Sequence, residues 1–511
     1  MTKKIILDGK SLNLDQIEDF LTQKKCSIEI SKESLKEMDS SYEYVKEIVN
    51  KGDPVYGINT GFGALSNKNI SKDDLNTLQY NLIRSHCTGV GSPFNEKIVR
   101  VIMLIRANCL CRGFSGINPE VVQLICDFVN KNITPIVPEK GSVGASGDLA
   151  PLSHIALALI GEGQVIYKGK EVRSNYAMEQ EGLAPAKLGP KDGLSLINGT
   201  AVMASLHSIA IIESKKIVKT ADIISMLSLD GVKGTTKAHD PLISQLKPHP
   251  GQLDVVENLN RIISDSEIAN SHDNCDKVQD PYSLRCIPQV HGASRQTIEH
   301  SIDVITIELN SVTDNPLIFV DEKQVLSGGN FHGEALALSM DYLAMGISEI
   351  ANISERRVEK MMNPTFSYLP AFLIESSGLN SGLMIAHVTS AALASENKYL
   401  SHPASVDSIP TSTDKEDHVS MGVTSGLKLL KIIENTTYCL SIEALCACQA
   451  IDFQKPLNTS KCLSAIHELI RKSVPIITED RVFSKDIDVI KKQIENYEII
   501  NECEKVIGEL K

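Results

Sequence analysis

Apolar positions recur at helical spacing through most of the chain. The pattern predicts helices over Glu96 to Cys111, Pro119 to Asn130, Leu149 to Ile160, Thr200 to Leu229, Gly333 to Met361 and His418 to Phe453, with shorter ones after Ser460. Several of these runs reach about thirty residues, well beyond the usual globular helix. In the Gly333 to Met361 run, Ala335, Leu336, Leu338, Met340, Leu343, Met345, Ile347 and Ile350 fall on most faces. A helix of that kind belongs inside a bundle or at a subunit interface. Strand-like patterns are short and local, as in Gln164 to Tyr167 and Pro316 to Val320. The chain carries neither a fixed-period repeat nor a low-complexity linker. These signals predict a mainly α fold. A loop-rich N-terminal domain, residues 1–200, gives way to an elongated bundle of long helices, residues 201–511.

Composition narrows the function more than the fold. At 511 residues, with 42% hydrophobic and 23% charged, the chain has the make-up of a globular protein with a large core. Its net charge of −13 includes no basic stripe, which argues against nucleic-acid binding. Trp is absent and aromatics are 5%, so neither base-stacking platforms nor membrane-interface belts are expected. Met1 to Asp8 lacks the apolar run of a signal peptide, and no segment has the uninterrupted apolar length of a membrane span. The twelve cysteines are scattered, and Cys109/Cys111 and Cys446/Cys448 have no second ligand pair nearby. They read as buried thiols of a cytoplasmic protein, not zinc ligands.

The densest chemistry lies in Gly141 to Pro151. Its core, Ala145-Ser146-Gly147, offers a compact carbonyl, a hydroxyl that can leave as water, and an unhindered glycine nitrogen. Gly147 can bend so that its nitrogen reaches back to the Ala145 carbonyl. Ring closure with dehydration of Ser146 yields an exocyclic methylene, an electrophile that no standard side chain supplies. Chance alone supplies such a tripeptide roughly 0.2 times in a chain this long, so it decides nothing by itself. A tight loop before a helix reads equally well, with Asp148 as N-cap and Pro151 in the first turn.

Six further loops punctuate the helices. Tyr56 to Gly63 holds three glycines around a tyrosine and a phenylalanine, a mobile flap with Tyr56 as acid or base, or equally an ordinary turn with a packed tyrosine. Arg84 to Gly91 contains His86, more commonly a helix cap or core residue than a ligand. Leu196 to Thr200 contains Asn198, whose amide suits a carboxylate or an amine. In Gln279 to Cys286, Arg285 has the planar fork that grips a carboxylate, although a salt bridge is the commoner fate of a single arginine. Ser327 to Gly333 and Asp414 to His418 complete the set.

Taken together, these loops and the tripeptide resemble the aromatic amino acid ammonia-lyase family, in order and spacing over nearly the whole chain. The resemblance implies a fumarase/aspartase-like helical fold and a 4-methylidene-imidazol-5-one formed autocatalytically from Ala145, Ser146 and Gly147. It implies neither an external cofactor nor a metal. Tyr56 matches the residue that takes the substrate β-proton, a demanding role for a group whose ordinary pKa is about 10. Asn198 and Tyr282 match residues near the electrophile and the amino acid end, Tyr282 among the catalytic set, and Arg285 matches the carboxylate anchor. Gln279 and Phe331 match lining positions. His86 and Glu416 match positions facing an imidazole in the histidine-selective branch, where each ring nitrogen needs a hydrogen-bond partner.

The implied reaction is deamination of L-histidine to trans-urocanate and ammonia by a carbon–nitrogen lyase. The implied assembly is a cytoplasmic homotetramer with shared active sites. Tyrosine- or phenylalanine-selective lyases, an aromatic 2,3-aminomutase and a catalytically silent helical protein share much of the same pattern. One departure is Asp414-Lys415 ahead of Glu416, where relatives more often carry an amide.

Overall fold

Local signals set many of the helix ends. Asn118 caps the Pro119–Asn130 helix through Glu120 N, and Pro119 sits where its missing N–H costs no hydrogen bond. Asn95 does the same for the Glu96–Leu110 helix, accepting from Ile98 N. The computed structural model describes residues 3–22, 26–52, 54–60, 70–71, 74–271 and 278–511. Its other long helices include Ala201–Gly231, Glu334–Met362 and Gly422–Asp452, all foreshadowed by the apolar periodicity. The last starts later than the pattern predicts because Met421 takes φ +56° and its N–H bonds to the Val143 carbonyl at 2.9 Å, outside any helix.

The strands are few and short. Gln164–Tyr167 pairs antiparallel with Ile133–Pro135 on one side and Lys170–Arg173 on the other, placing Ile166 opposite Thr134 and Glu171. Leu317–Phe319 and Gln324–Leu326 form a hairpin. A parallel pair, Lys3–Leu7 with Cys26–Ile30, carried no clear sequence signal.

The chain divides into two compact units. The first gathers residues 1–209, 302–340 and 403–427, so two late segments join the tripeptide-bearing part. Val99, Ile102, Leu104, Val122 and Phe128 are among its fully buried residues. The second gathers residues 210–301, 341–402 and 428–511. Its interior holds ion pairs as well as apolar side chains. Arg357 grips Glu443 through two bonds of 2.5 and 2.9 Å, and Ser228 Oγ donates to the same carboxylate at 2.7 Å. Asp222 accepts from His291 Nδ1, Arg295 Nη2 and Asn258 Nδ2 at 2.6–2.9 Å. Charges buried this deeply persist only when paired and hydrogen-bonded.

On the Glu334–Met362 helix, Leu336, Met340, Leu343, Ile347 and Ile350 are fully buried, while Leu338, Tyr342 and Met345 are exposed in one stripe. Cys109, Cys111, Cys446 and Cys448 are buried thiols. No helix among the described residues is long and apolar enough to cross a membrane.

Candidate functional site

The tripeptide sits in a loop pinned from two sides. Gly147 has φ +73° and its backbone lies against Gly199, where an added Cβ would come within 2.5 Å of the Gly199 nitrogen. Only glycine permits both that angle and that approach. Next to it, Asp148 N donates to the Gly199 carbonyl at 2.8 Å. On the other side, Ser420 Oγ donates to the Gly144 carbonyl at 3.0 Å. Gly144, at φ +67°, leaves no room for a side chain against that hydroxyl.

Asp148 corrects a sequence expectation. It precedes the Leu149–Leu159 helix but makes no side-chain cap to it. Its Oδ2 instead accepts from Val202 N and Met203 N at 2.9 and 3.0 Å, capping the Ala201–Gly231 helix, and Oδ1 accepts from Ser142 Oγ at 3.0 Å. The helix whose first amides are reached in space, not the one next in sequence, recruits the carboxylate. Full burial pushes the Asp148 carboxyl up to about 7, against three hydrogen bonds that favour the charged form.

A cavity of about 590 Å³ opens over the tripeptide, lined by Tyr56, Ser146, Asn198, Phe331 and Glu416 together with Ala145. Ser146 Oγ donates to Glu416 Oε1 at 2.6 Å. Glu416 is held in a tight loop in which Ser412, Thr413 and Asp414 all take positive φ. Backbone bonds between Thr411 and Glu416 close that loop, and Thr411 Oγ1 donates to Glu416 Oε2 at 2.7 Å. Asn198 is buried. Its Nδ2 donates to the Asn315 carbonyl at 3.1 Å, while Oδ1 has no hydrogen-bond partner among the described residues. That leaves a buried acceptor without a donor at a residue that lines the cavity. His332, Lys415, Asp417 and His418 also line the cavity, although sequence reading gave them no individual role.

The remaining predicted residues lie elsewhere. His86 does not line this cavity, and its Nδ1 is 2.8 Å from the Leu82 carbonyl oxygen, one helical turn back. Gln279, Tyr282 and Arg285 belong to the second unit. There the Arg285 guanidinium stacks 4.5 Å from the centre of the Tyr282 ring, and its Nε donates to the Asp280 carbonyl at 3.1 Å. Tyr282 is 70% exposed. Of the Tyr56 flap, residues 61–63 lie outside the described residues.

Known proteins match this arrangement along nearly its whole length. The family model described as aromatic amino acid lyase matches residues 12–472. A histidine ammonia-lyase of Natranaerobius thermophilus is 46% identical over 508 residues, 99% of this chain and 100% of that protein. The crystal structure of histidine ammonia-lyase from Trypanosoma cruzi superposes with a TM-score of 0.92 at 42% identity, covering 99% of this chain and 96% of that one. Tyrosine aminomutase from Streptomyces globisporus also gives a TM-score of 0.92, at 32% identity over 99% of both chains. With Ala145 and Ser146 lining the cavity and a family match over most of its length, the chain belongs to the aromatic amino acid lyase family.

Proposed function

We propose that the chain catalyses the non-oxidative deamination of L-histidine to trans-urocanate and ammonia. The observation that carries this reading is the Ser146–Glu416 contact, which puts a carboxylate able to accept an imidazole N–H directly over the reactive tripeptide. A phenyl ring has no donor for that carboxylate, and leaving such a group unpaired costs about 1–3 kcal/mol. The relatives named histidine ammonia-lyase, at 44–46% identity, support the same substrate.

The residues present fit a 4-methylidene-imidazol-5-one. Gly147 alone tolerates the turn against Gly199, and the Ser146 hydroxyl, which the elimination removes, already rests on a carboxylate. Gly147 N bonds to the Ala145 carbonyl carbon with loss of one water, and Ser146 loses a second. Once formed, the group supplies an electrophilic methylene to the substrate amine or ring. Departure of the Ser146 hydroxyl takes away a hydrogen-bond donor of Glu416 Oε1, which then turns to the incoming imidazole.

The other roles follow from chemistry and position. Tyr56 removes the β-proton from the cavity wall, and Asn198 Oδ1 accepts from the substrate ammonium. Phe331 packs against the ring. Arg285 binds the carboxylate through its fork, with Gln279 and Tyr282 beside it in an assembly whose sites combine loops from several copies. His86 lies outside the cavity wall with Nδ1 on the Leu82 carbonyl, so its expected contact with the imidazole requires a change of position and Glu416 alone carries that end of the proposal. Holding the amino acid at both ends supplies much of the rate advantage over solution. The exposed stripe Leu338, Tyr342 and Met345 is suited to self-association, in keeping with a cytoplasmic homotetramer.

Incubating the purified protein with histidine alone, then identifying products, tests the proposal. Urocanate and ammonia in equal amounts are expected, with little turnover of tyrosine. A β-amino acid product would overturn the lyase assignment in favour of a mutase.

A further inference from the structure

Three ligating side chains to which the proposed deamination gives no role converge beside the same cavity, two of them, His332 and His418, lining it. His332, Glu334 and His418 each bring one ligand atom to within 4.8 Å of the others. They arise from two segments, the entry to the Glu334–Met362 helix and the loop that carries Glu416 two residues before His418. We propose that these residues bind a divalent transition-metal ion, zinc fitting best, and that the ion ties the Glu416 loop to the start of that helix.

Three observations carry the proposal. Glu334 Oε2 is buried and has no hydrogen-bond partner among the described residues. A buried carboxylate oxygen without a donor is costly, and a cation relieves that cost. His332 Nε2 rests on the His418 backbone carbonyl at 3.2 Å, the kind of outer bond that orients a metal-ligating imidazole, and binding through Nδ1 keeps it. The two imidazoles already face one another, with ring centres 5.7 Å apart.

The donor set is decisive about the class of ion. Two nitrogens and one carboxylate with a fourth position open match zinc, whereas calcium and magnesium prefer oxygen ligands. Tetrahedral zinc with bonds near 2.05 Å spaces its donors roughly 3.4 Å apart, so the three groups must close by about 1.4 Å. His418 is exposed on its loop and can supply that movement by rotamer change.

The test uses the full chain, stripped with a chelator and free of histidine, which itself chelates metals. Zinc is titrated by calorimetry, and cobalt(II) is followed by visible absorbance. We expect one ion per chain with a dissociation constant of about 10 μM or tighter. His332→Ala, Glu334→Gln and His418→Ala should each weaken binding at least about 10-fold. His249→Ala, at an exposed histidine elsewhere, should leave it unchanged. Because His418 is on an exposed loop, His418→Ala keeps the test decisive should a change at Glu334 disturb the helix start. Absence of stoichiometric binding would overturn the proposal. So would unchanged affinity in His418→Ala, or a cobalt–thiolate band retained in all variants.

Discussion

Ser146 Oγ and Glu416 Oε1, 2.6 Å apart, join residues separated by 270 positions in the chain. In the proposed reaction two functions meet at that bond, formation of the electrophile and recognition of the imidazole, and substitution separates them. Ser146→Ala has no hydroxyl to eliminate, so deamination should fall by at least about 1000-fold. Its intact mass should also lack the loss of two waters, about 36 Da, that marks the mature chain. Glu416→Gln still offers a carbonyl oxygen to Ser146 and should mature normally. Its kcat/KM for histidine should drop by roughly 10- to 100-fold, reflecting a lost charge-assisted bond. A Glu416→Gln protein that matures and deaminates at the normal rate would remove Glu416 from substrate recognition.

Asn198, which lines the cavity, has a buried acceptor without a partner among the described residues, and in the proposed reaction the substrate ammonium satisfies it. Asn198→Ala should therefore raise KM and lower kcat together, by roughly 10- to 100-fold in kcat/KM. The same change strips the Asn315 carbonyl of its donor, so Tm should fall slightly. Steady-state kinetics with a thermal melt read both effects. Lost stability with intact kinetics would make Asn198 a purely structural residue.

Gly147→Ala tests the turn. The new Cβ would press into the Gly199 backbone at a φ of +73°, a conformation that alone costs about 1–3 kcal/mol for a non-glycine residue. The loop must shift, moving residue 147's nitrogen away from the Ala145 carbonyl. The variant should fold with a lower Tm and keep its unmodified mass. A mature mass would show that ring closure does not need this close approach.

The long apolar helices were legible because burial there is set by local periodicity. Pro119–Asn130 shows this best, since its Asn-Pro start and its apolar spacing point to the same bounds. The Lys32–Lys51 helix was not legible. Its buried positions are Ser34, Met38, Ser41, Val45 and Ile48, so two of the five that mark its inner face are serines. The site divides in the same way. Tyr56, Asn198, Phe331 and Glu416 stand in loops whose composition marks them, and the fold brings them to one cavity. That Asp148 caps a helix more than fifty residues away depends on the tertiary approach of two loops, which no local pattern encodes. No local pattern marks His332 and His418 for a related reason, since the pairing of their two segments exists only in three dimensions.

Asp148 gives the chain a pH dependence with a definite sign. Its carboxyl is pushed up to about 7 in the folded state, against an ordinary value of about 3.9 when unfolded. Between those values the folded chain binds more protons than the unfolded one, so stability falls as pH rises. The neutral form's contribution is fully present below about 4 and is lost as pH rises through about 7. At its steepest the slope is about 1.4 kcal/mol per pH unit. Asp148→Asn cannot titrate, and the stability of the natural chain relative to this variant should therefore decline from pH 4.5 to pH 7.5, about the span of the titration. Chemical denaturation of both proteins at several pH values measures that difference. A difference that grows with pH would mean that the donors from Ser142, Val202 and Met203 outweigh burial and hold Asp148 charged.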